Sequence, residues 1–347
     1  MHDILSDVTQ WIDQNEPVVL ATVVQTWGSS PRGVGAKMAF TSSGKIAGSV
    51  SGGCVEGAVY ENGLQTLKTL QPQLLHFGVA DETAFEVGLA CGGKIEVFVR
   101  RLDPGIFRIL QAEIIGQQAV VIVSALEGPP DLTGKEIMVT EAGKVAGTLG
   151  GGLDGEAARF AILALQEEQS QTFSLPTATG DLLHLFADVI LPPPTLVMVG
   201  GVHITIALSA IAKALGYRTI IIDPRRLFGS QERFPHVDQL IQEWPQEALP
   251  KIKLTRSTCV AMLTHDPKID DPALKIVLDS PVFYIGALGS RKTQESRRQR
   301  LLADGLSPTQ LNRIHGPVGI DLGAKTPDEI ALSVMAEIIS VRRGRKG

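Results

Sequence analysis

A chain of 347 residues is too long for one ordinary core and points to about two domains. With 44% hydrophobic and 20% charged residues it has the composition of a globular protein, and a net charge of −5 excludes a general nucleic-acid binder, which needs a basic face to neutralise phosphates. No uncharged apolar run approaches the ~20 residues that span a bilayer, the first residues lack a basic stretch leading into an apolar core, and three cysteines do not make a disulfide scaffold; no membrane partner, a cytoplasmic location and reduced thiols are expected.

In chain order, Val18 to Gln25 reads as a strand, followed by short strands over Ala36 to Thr41 and Lys45 to Val50 around a Ser-Ser-Gly turn. A helix is predicted from Cys54 toward Leu70, and Lys94 to Arg100 alternates like a half-buried strand. Glycine punctuates this half, so few helices are expected in it. An internal repeat is visible: Gly44 to Gly53, GKIAGSVSGG, recurs as Gly143 to Gly152, GKVAGTLGGG, each copy preceded by strand-like segments and followed by an alanine-containing helical stretch. Only the first copy has a cysteine after its glycines, Cys54, where the second has Leu153. The first half therefore reads as a strand-rich α+β domain built by duplication, spanning residues 1–192.

Pro192, Pro193 and Pro194 form a stiff connector. Strands and helices alternate beyond it, and residues 195–347 are predicted to form a Rossmann-like, doubly wound parallel sheet, giving an α/β fold class to the whole chain. Its expected strands are Leu196 to Val199, Thr219 to Ile222, Val237 to Ile241, Thr258 to Leu263 and Val282 to Leu288. Its expected helices are Ile204 to Leu215, Asp271 to Asp279, Thr293 to Leu302 and Pro327 to Val341.

Five constellations can carry chemistry. Ser51-Gly52-Gly53-Cys54-Val55-Glu56 places a thiol beside a glycine pair at a helix start, where free N–H groups favour an anion and a thiolate. Cys91-Gly92-Gly93 repeats the combination. Cys54 and Cys91 are candidate metal ligands, since thiolates suit soft metals, and the spacing is not that of structural zinc. The loop from Thr26 to Met38 carries two cations, Arg32 and Lys37, suited to an anionic ligand. Gly200, Gly201 and His203 follow the first strand of the second half, with Asp223 at the end of the next strand. That is the layout of a dinucleotide site, although Val202 stands where a second glycine would let a pyrophosphate approach. His265, Asp266, Ser290 and Arg291 fall in later loops at the expected carboxyl edge of the sheet. Cys259, inside an apolar strand, reads as core.

GSSPRGVGAKM (Gly28 to Met38), GSVSGGCVEGAV (Gly48 to Val59) and LACGG (Leu89 to Gly93) resemble the N-terminal signature of the XdhC/CoxI family. RFP (Arg233 to Pro235), THDPKIDDPAL (Thr264 to Leu274), YIGALGSRK (Tyr284 to Lys292) and HGPVGIDLGAKTPDEIALSVMAEI (His315 to Ile338) resemble its Rossmann-type C-terminal domain. The family usually shows Gly-Ala-Gly-His where this chain has Gly200-Gly201-Val202-His203. The resemblance implies a maturation factor for molybdenum hydroxylases such as xanthine dehydrogenase, rather than a stand-alone enzyme. Such a factor binds the molybdenum cofactor (molybdopterin), supports its sulfuration with sulfur from a cysteine desulfurase, and delivers it to the apo molybdenum hydroxylase. It further implies Cys54 and Cys91 as contacts on the metal or sulfur side, with Arg32, Lys37 and the flanking glycines holding the pterin phosphate. A homodimer is expected, because a strand-rich duplicated domain has edges to cover. The alternatives are an NAD(P)-dependent oxidoreductase and a thiol redox protein.

Overall fold

The computed structural model describes residues 1–78 and 93–344. It divides into two compact units, Met1–Pro192 and Pro193–Gly347.

The first unit is the same motif built twice. The first copy runs α1 (Leu5–Asp13), β1 (Val18–Trp27), β2 (Lys37–Thr41), β3 (Ile46–Gly48), α2 (Glu56–Thr69), β4 (Gln73–Phe77) and β5 (Lys94–Arg101). The second runs α3 (Pro104–Ile115), β6 (Val120–Glu127), β7 (Glu136–Thr140), β8 (Val145–Gly147), α4 (Asp154–Glu167), β9 (Gln171–Pro176) and β10 (Leu182–Ile190). The two five-stranded antiparallel sheets have matching orders, β3-β2-β1-β5-β4 and β8-β7-β6-β10-β9. Alternation along the strands assigns each face. Val19, Ala21 and Val23 pack with Val59 of α2, and Val121, Val123 and Ala125 pack with Ala157 and Ala161 of α4. The opposite faces, through Val18, Leu20, Val120 and Ile122, join one core shared by both copies, closed by α1 and α3.

Those two helices are the part of this unit that the glycine-rich context hid. α1 buries Val8, Trp11 and Ile12, and α3 buries Phe107, Leu110 and Ile114, both at helical spacing. Asp103 caps α3, accepting from the N–H groups of Gly105 and Ile106 ahead of an apolar run that begins with Pro104.

Two buried ion pairs of the same sense link the copies. Lys37 opens β2 opposite Thr22, and Glu136 opens β7 opposite Ser124. Arg100 on β5 lies opposite Leu20, and Asp188 on β10 opposite Ile122, so the two sets of positions are equivalent. Lys37 Nζ reaches Asp188 Oδ2 at 2.7 Å, and Arg100 Nη2 reaches Glu136 Oε2 at 2.6 Å. All four residues are buried. Burial pushes the Glu136 carboxyl pKa up, against the pull of Arg100. The first copy thus supplies both cations and the second both anions. Two first copies placed in this arrangement would oppose cation to cation, so the charges select the unlike pairing.

The second unit is a six-stranded parallel sheet, β11 (Thr195–Val199), β12 (Arg218–Ile222), β13 (Gln239–Ile241), β14 (Thr258–Met262), β15 (Tyr284–Ala287) and β16 (Ile314–His315). Its order is β13-β12-β11-β14-β15-β16. The helices are α5 (His203–Ala214), α6 (Pro245–Ala248), α7 (Pro267–Leu278), α8 (Arg291–Ala303), α9 (Pro308–Leu311) and α10 (Pro327–Arg342). Two apolar clusters cover its faces, one containing α7 and the other α5 and α10. This is the Rossmann arrangement, with the order reversing between β11 and β14. Cys259 is fully buried on β14, and burial raises its thiol pKa. α7 and α8 begin earlier than their apolar patterns suggest, because Asp266 and Ser290 cap them by accepting from Lys268 N and Thr293 N. Among the described residues no helix is long and apolar enough to cross a membrane.

Removing one member of a buried ion pair strands the other charge. Lys37→Met is expected to lower unfolding free energy by about 3 kcal/mol in urea melts, and Lys37→Met combined with Asp188→Leu to recover most of that loss. A double variant as unstable as the single one would show that the pair is not what joins the copies.

Candidate functional site

The glycine turn of the first copy is filled by the chain's own carboxylate. Gly52 and Gly53 have φ of +82° and +119°, which turns successive N–H groups inward as a concave nest. Glu56, at the start of α2, folds back into it. Its Oε1 accepts from the N–H groups of Val50 (3.2 Å), Ser51 (2.9 Å) and Gly52 (3.0 Å) and from Ser49 Oγ (2.6 Å). Its Oε2 accepts from Gly53 N (2.9 Å), Val55 N (3.2 Å) and Ser51 Oγ (2.5 Å). Ser51 Oγ in turn accepts from Cys54 N and Val55 N, both at 3.0 Å. Every N–H from Val50 to Val55 is thereby engaged. Burial pushes the Glu56 carboxyl up, but the hydrogen bonds from Ser49, Ser51 and the backbone outweigh it and hold the pKa at about 2.

This corrects the expectation that Ser51, Gly52, Gly53 and Glu56 form an open anion cradle. The turn is a closed one whose product is the placement of Cys54. That side chain is half-buried, its apolar side against the core between sheet and α2. Leu153, the equivalent residue of the second copy, is buried core.

The two cations of the preceding loop part company. Arg32 is half-buried; its Nε donates to Ser49 O at 3.3 Å and its Nη2 to Asp3 Oδ2 at 3.3 Å, which sets it against the cysteine turn. Lys37 does not join it. It is sunk in the ion pair with Asp188 and also donates to Gly35 O at 2.9 Å, so it is not available to hold an external phosphate. Gly93 packs directly against the backbone of Trp27 and Ser29, leaving no room for a Cβ, and Gly52 lies beside Pro31. The 27–32 loop, the cysteine turn and Gly93 therefore meet at one end of the first sheet. Cys91 and Gly92 lie outside the described residues. Among the described residues no group of three or more His, Cys, Asp or Glu is arranged to hold a metal ion.

At the switch point of the second unit, Gly200 abuts Thr264 and Gly201 abuts the carbonyl of Phe228, so both positions require glycine for close backbone approach. Asp223 is fully buried. It accepts from Gly201 N at 2.7 Å, from Arg225 N and Nε at 2.9 Å, and from Arg225 Nη2 at 2.7 Å. Burial raises its pKa, but these bonds outweigh burial and lower it. Arg225 stacks on Phe228, and Arg233 donates to the carbonyls of Gly201 and Phe228. The acid expected to take a ribose hydroxyl is thus withdrawn beneath the segment from Arg225 to Phe234. His203 is exposed at the first position of α5, and His265 is exposed with φ +52° in the loop between β14 and α7. Asp266 is occupied as the α7 cap and Ser290 as the α8 cap. Arg291, exposed, begins α8 beyond β15.

Sequence reasoning missed Ser49, which joins Arg32 to Glu56, and the pairs made by Asp188 and Arg100. One signal was present: an acid follows the glycines in both copies, and Asp154 accepts from Thr148 Oγ1 and Leu149 N, each at 2.7 Å.

Residues 11–78 match the family model described as XdhC and CoxI family, and residues 196–338 match the one described as XdhC Rossmann domain. The chain is 29% identical over 340 residues to a probable xanthine dehydrogenase subunit of Bacillus subtilis (strain 168), covering 96% of this chain and 95% of that protein. It is 28% identical over 324 residues to the molybdenum cofactor insertion chaperone PaoD of Escherichia coli (strain K12), covering 93% and 83%. The crystal structure of a xanthine dehydrogenase from Bacillus halodurans superposes with a TM-score of 0.77 at 24% identity, covering 99% of this chain and 96% of that one, which shows a common fold.

Because the Glu56 carboxyl is depressed from 4.5 to about 2, its contribution to stability is complete above pH 4.5 and is lost as pH falls toward 2. Wild type is expected to exceed Glu56→Gln by about 2 kcal/mol at pH 7, a value discounted for partial exposure, and the two should converge in acid. Chemical denaturation across that range checks it; a gap independent of pH would remove the charged cap.

Proposed function

This chain belongs to the XdhC and CoxI family, and on that footing we propose that it handles the molybdenum cofactor as cargo on its way to a molybdenum hydroxylase of the xanthine dehydrogenase type. The observation that carries the reading is the presentation of Cys54. Its turn is fixed from within by Glu56, its flank is lined by Arg32, and the segment at Gly93 closes on the same end of the sheet. A cysteine sulfur held on a preorganised backbone is a soft ligand for a soft metal centre and also a group able to accept or pass on sulfur. The likeness to PaoD, named a molybdenum cofactor insertion chaperone, supports the cargo class, and the likeness to a probable xanthine dehydrogenase subunit supports the class of client.

In this reading Cys54 contacts the metal or sulfur side of the cargo, Cys91 is its second thiol, and Arg32 faces the anionic side. Lys37 and Glu56 have structural roles, and the cargo's phosphate is held by Arg32 rather than by the glycine N–H groups. Sulfur reaches the bound cargo from a cysteine desulfurase, the apo-hydroxylase receives the product, and the working form is a homodimer in the cytoplasm.

The reading is tested by purifying wild type, Cys54→Ser, Cys91→Ser and Arg32→Gln from cells making the cofactor, then measuring bound molybdenum and pterin separately. Cys54→Ser is expected to lose molybdenum several-fold, and Arg32→Gln to lose pterin. Wild-type levels of both in all three variants would refute the assignment.

A further inference from the structure

α8 carries a buried arginine, Arg297, whose charge is paired with the buried Asp270. Arg297 is 2% exposed. Its Nη2 donates to Asp270 Oδ2 (3.1 Å) and Leu288 O (3.2 Å), and its Nη1 donates to Gln294 Oε1 (2.5 Å). Its Nε is buried and has no acceptor among the described residues. A buried N–H without an acceptor costs about 1–3 kcal/mol, more on a charged group, so Arg297 is held where it is by its pair with Asp270 and its other bonds.

Arg297 lines a cavity of about 220 Å³ between the first turns of α8 and the loop after β16. Two further arginines line it. Arg291 is exposed at the first helical position, and Arg298 is half-buried, its Nη1 donating to Asn312 Oδ1 at 3.3 Å. Gln294 is fixed by its amide donating to the carbonyls of Ala287 and Gly289, so the arginine it receives is held in place. Leu311, Ile314 and Pro317 form an apolar wall. Glu295 is also at the rim, exposed, with its carboxylate accepting from Gln299. The positive end of the α8 dipole lies on the same side as Arg291.

We propose that this cavity binds the phosphate group of a small phosphomonoester. Guanidinium forks match phosphate oxygens, Arg291 and Arg298 keep donors at the cavity surface, and a phosphate dianion offers them more charge and one more oxygen than a carboxylate. The volume is below the roughly 300–1,000 Å³ of sites for drug-sized ligands, which limits the molecule to a small one with its apolar part on the Leu311 and Ile314 wall. The site lies at the ends of β15 and β16, away from the β11–β14 switch point, and it does not rest on the cargo reading.

The test is calorimetric titration of the full chain with inorganic phosphate and, separately, with phenyl phosphate and benzoate, all in chloride buffer. Phosphate and phenyl phosphate should bind in the millimolar range or tighter, phenyl phosphate the better, with benzoate binding at least about tenfold more weakly than phenyl phosphate. Arg291→Gln combined with Arg298→Gln should weaken binding by about tenfold or more while the protein still melts cooperatively. Arg108→Gln, an exposed arginine of the other unit, should bind as wild type. Absence of phosphate binding, equal binding of benzoate, or affinity unchanged in the double variant would each overturn the proposal.

Discussion

The cysteine turn depends on one carboxylate lodged in a ring of backbone N–H groups. A run of residues with inward-pointing amides and left-handed glycines is an anion receptor by its own geometry. Left open, it would be filled by water or any passing anion, and the thiol at its rim would have no fixed position. Glu56 removes that freedom by supplying the anion from two residues beyond Cys54. The second copy keeps a weaker form of the device: Asp154 holds Thr148 and Leu149, three glycines pass through positive φ, and Leu153 drops into the core. Duplication thus produced one turn that presents a thiol and one that packs.

The same pattern recurs elsewhere. Lys37 looks like a ligand-binding cation in a glycine-rich loop and is instead half of one of the two ion pairs that join the copies. Asp223 stands where a dinucleotide's ribose would be read and is instead the clasp that ties Gly201 to Arg225. In each case burial makes an unpaired charge too costly, so the nearest internal partner claims it. Among the described candidate residues, Cys54 and Arg32 in the first unit and His203, His265 and Arg291 in the second keep part of their side chains at the surface.

The fold was largely legible because its signals are local. The GKIAGSVSGG repeat marks the duplication, and strands alternating with helices after the triple proline mark the parallel sheet. α1 and α3 were harder to read, since their amphipathic stripes are short and sit among strands. The site was half legible. Glycine beside cysteine located the turn, but residue type alone does not say whether a carboxylate will face outward to a ligand or inward to its own backbone. That depends on which N–H groups positive-φ glycines turn toward it. The partner of Lys37 lies far along the chain, in a strand whose pairing only the folded sheets define. Arg297 was invisible for a related reason: an arginine in a basic helix reads as solvated surface until the packing of α7 beneath it is known.

The most direct measurement of the central claim is a carboxyl-detected NMR titration of Glu56, followed together with the amide signals of Ser51, Gly52 and Gly53. If this carboxylate holds the turn, its midpoint lies near 2 and those amides shift with it. A midpoint near 4.5, with the glycine amides unmoved, would mean that the turn is empty and that Cys54 is positioned by something else.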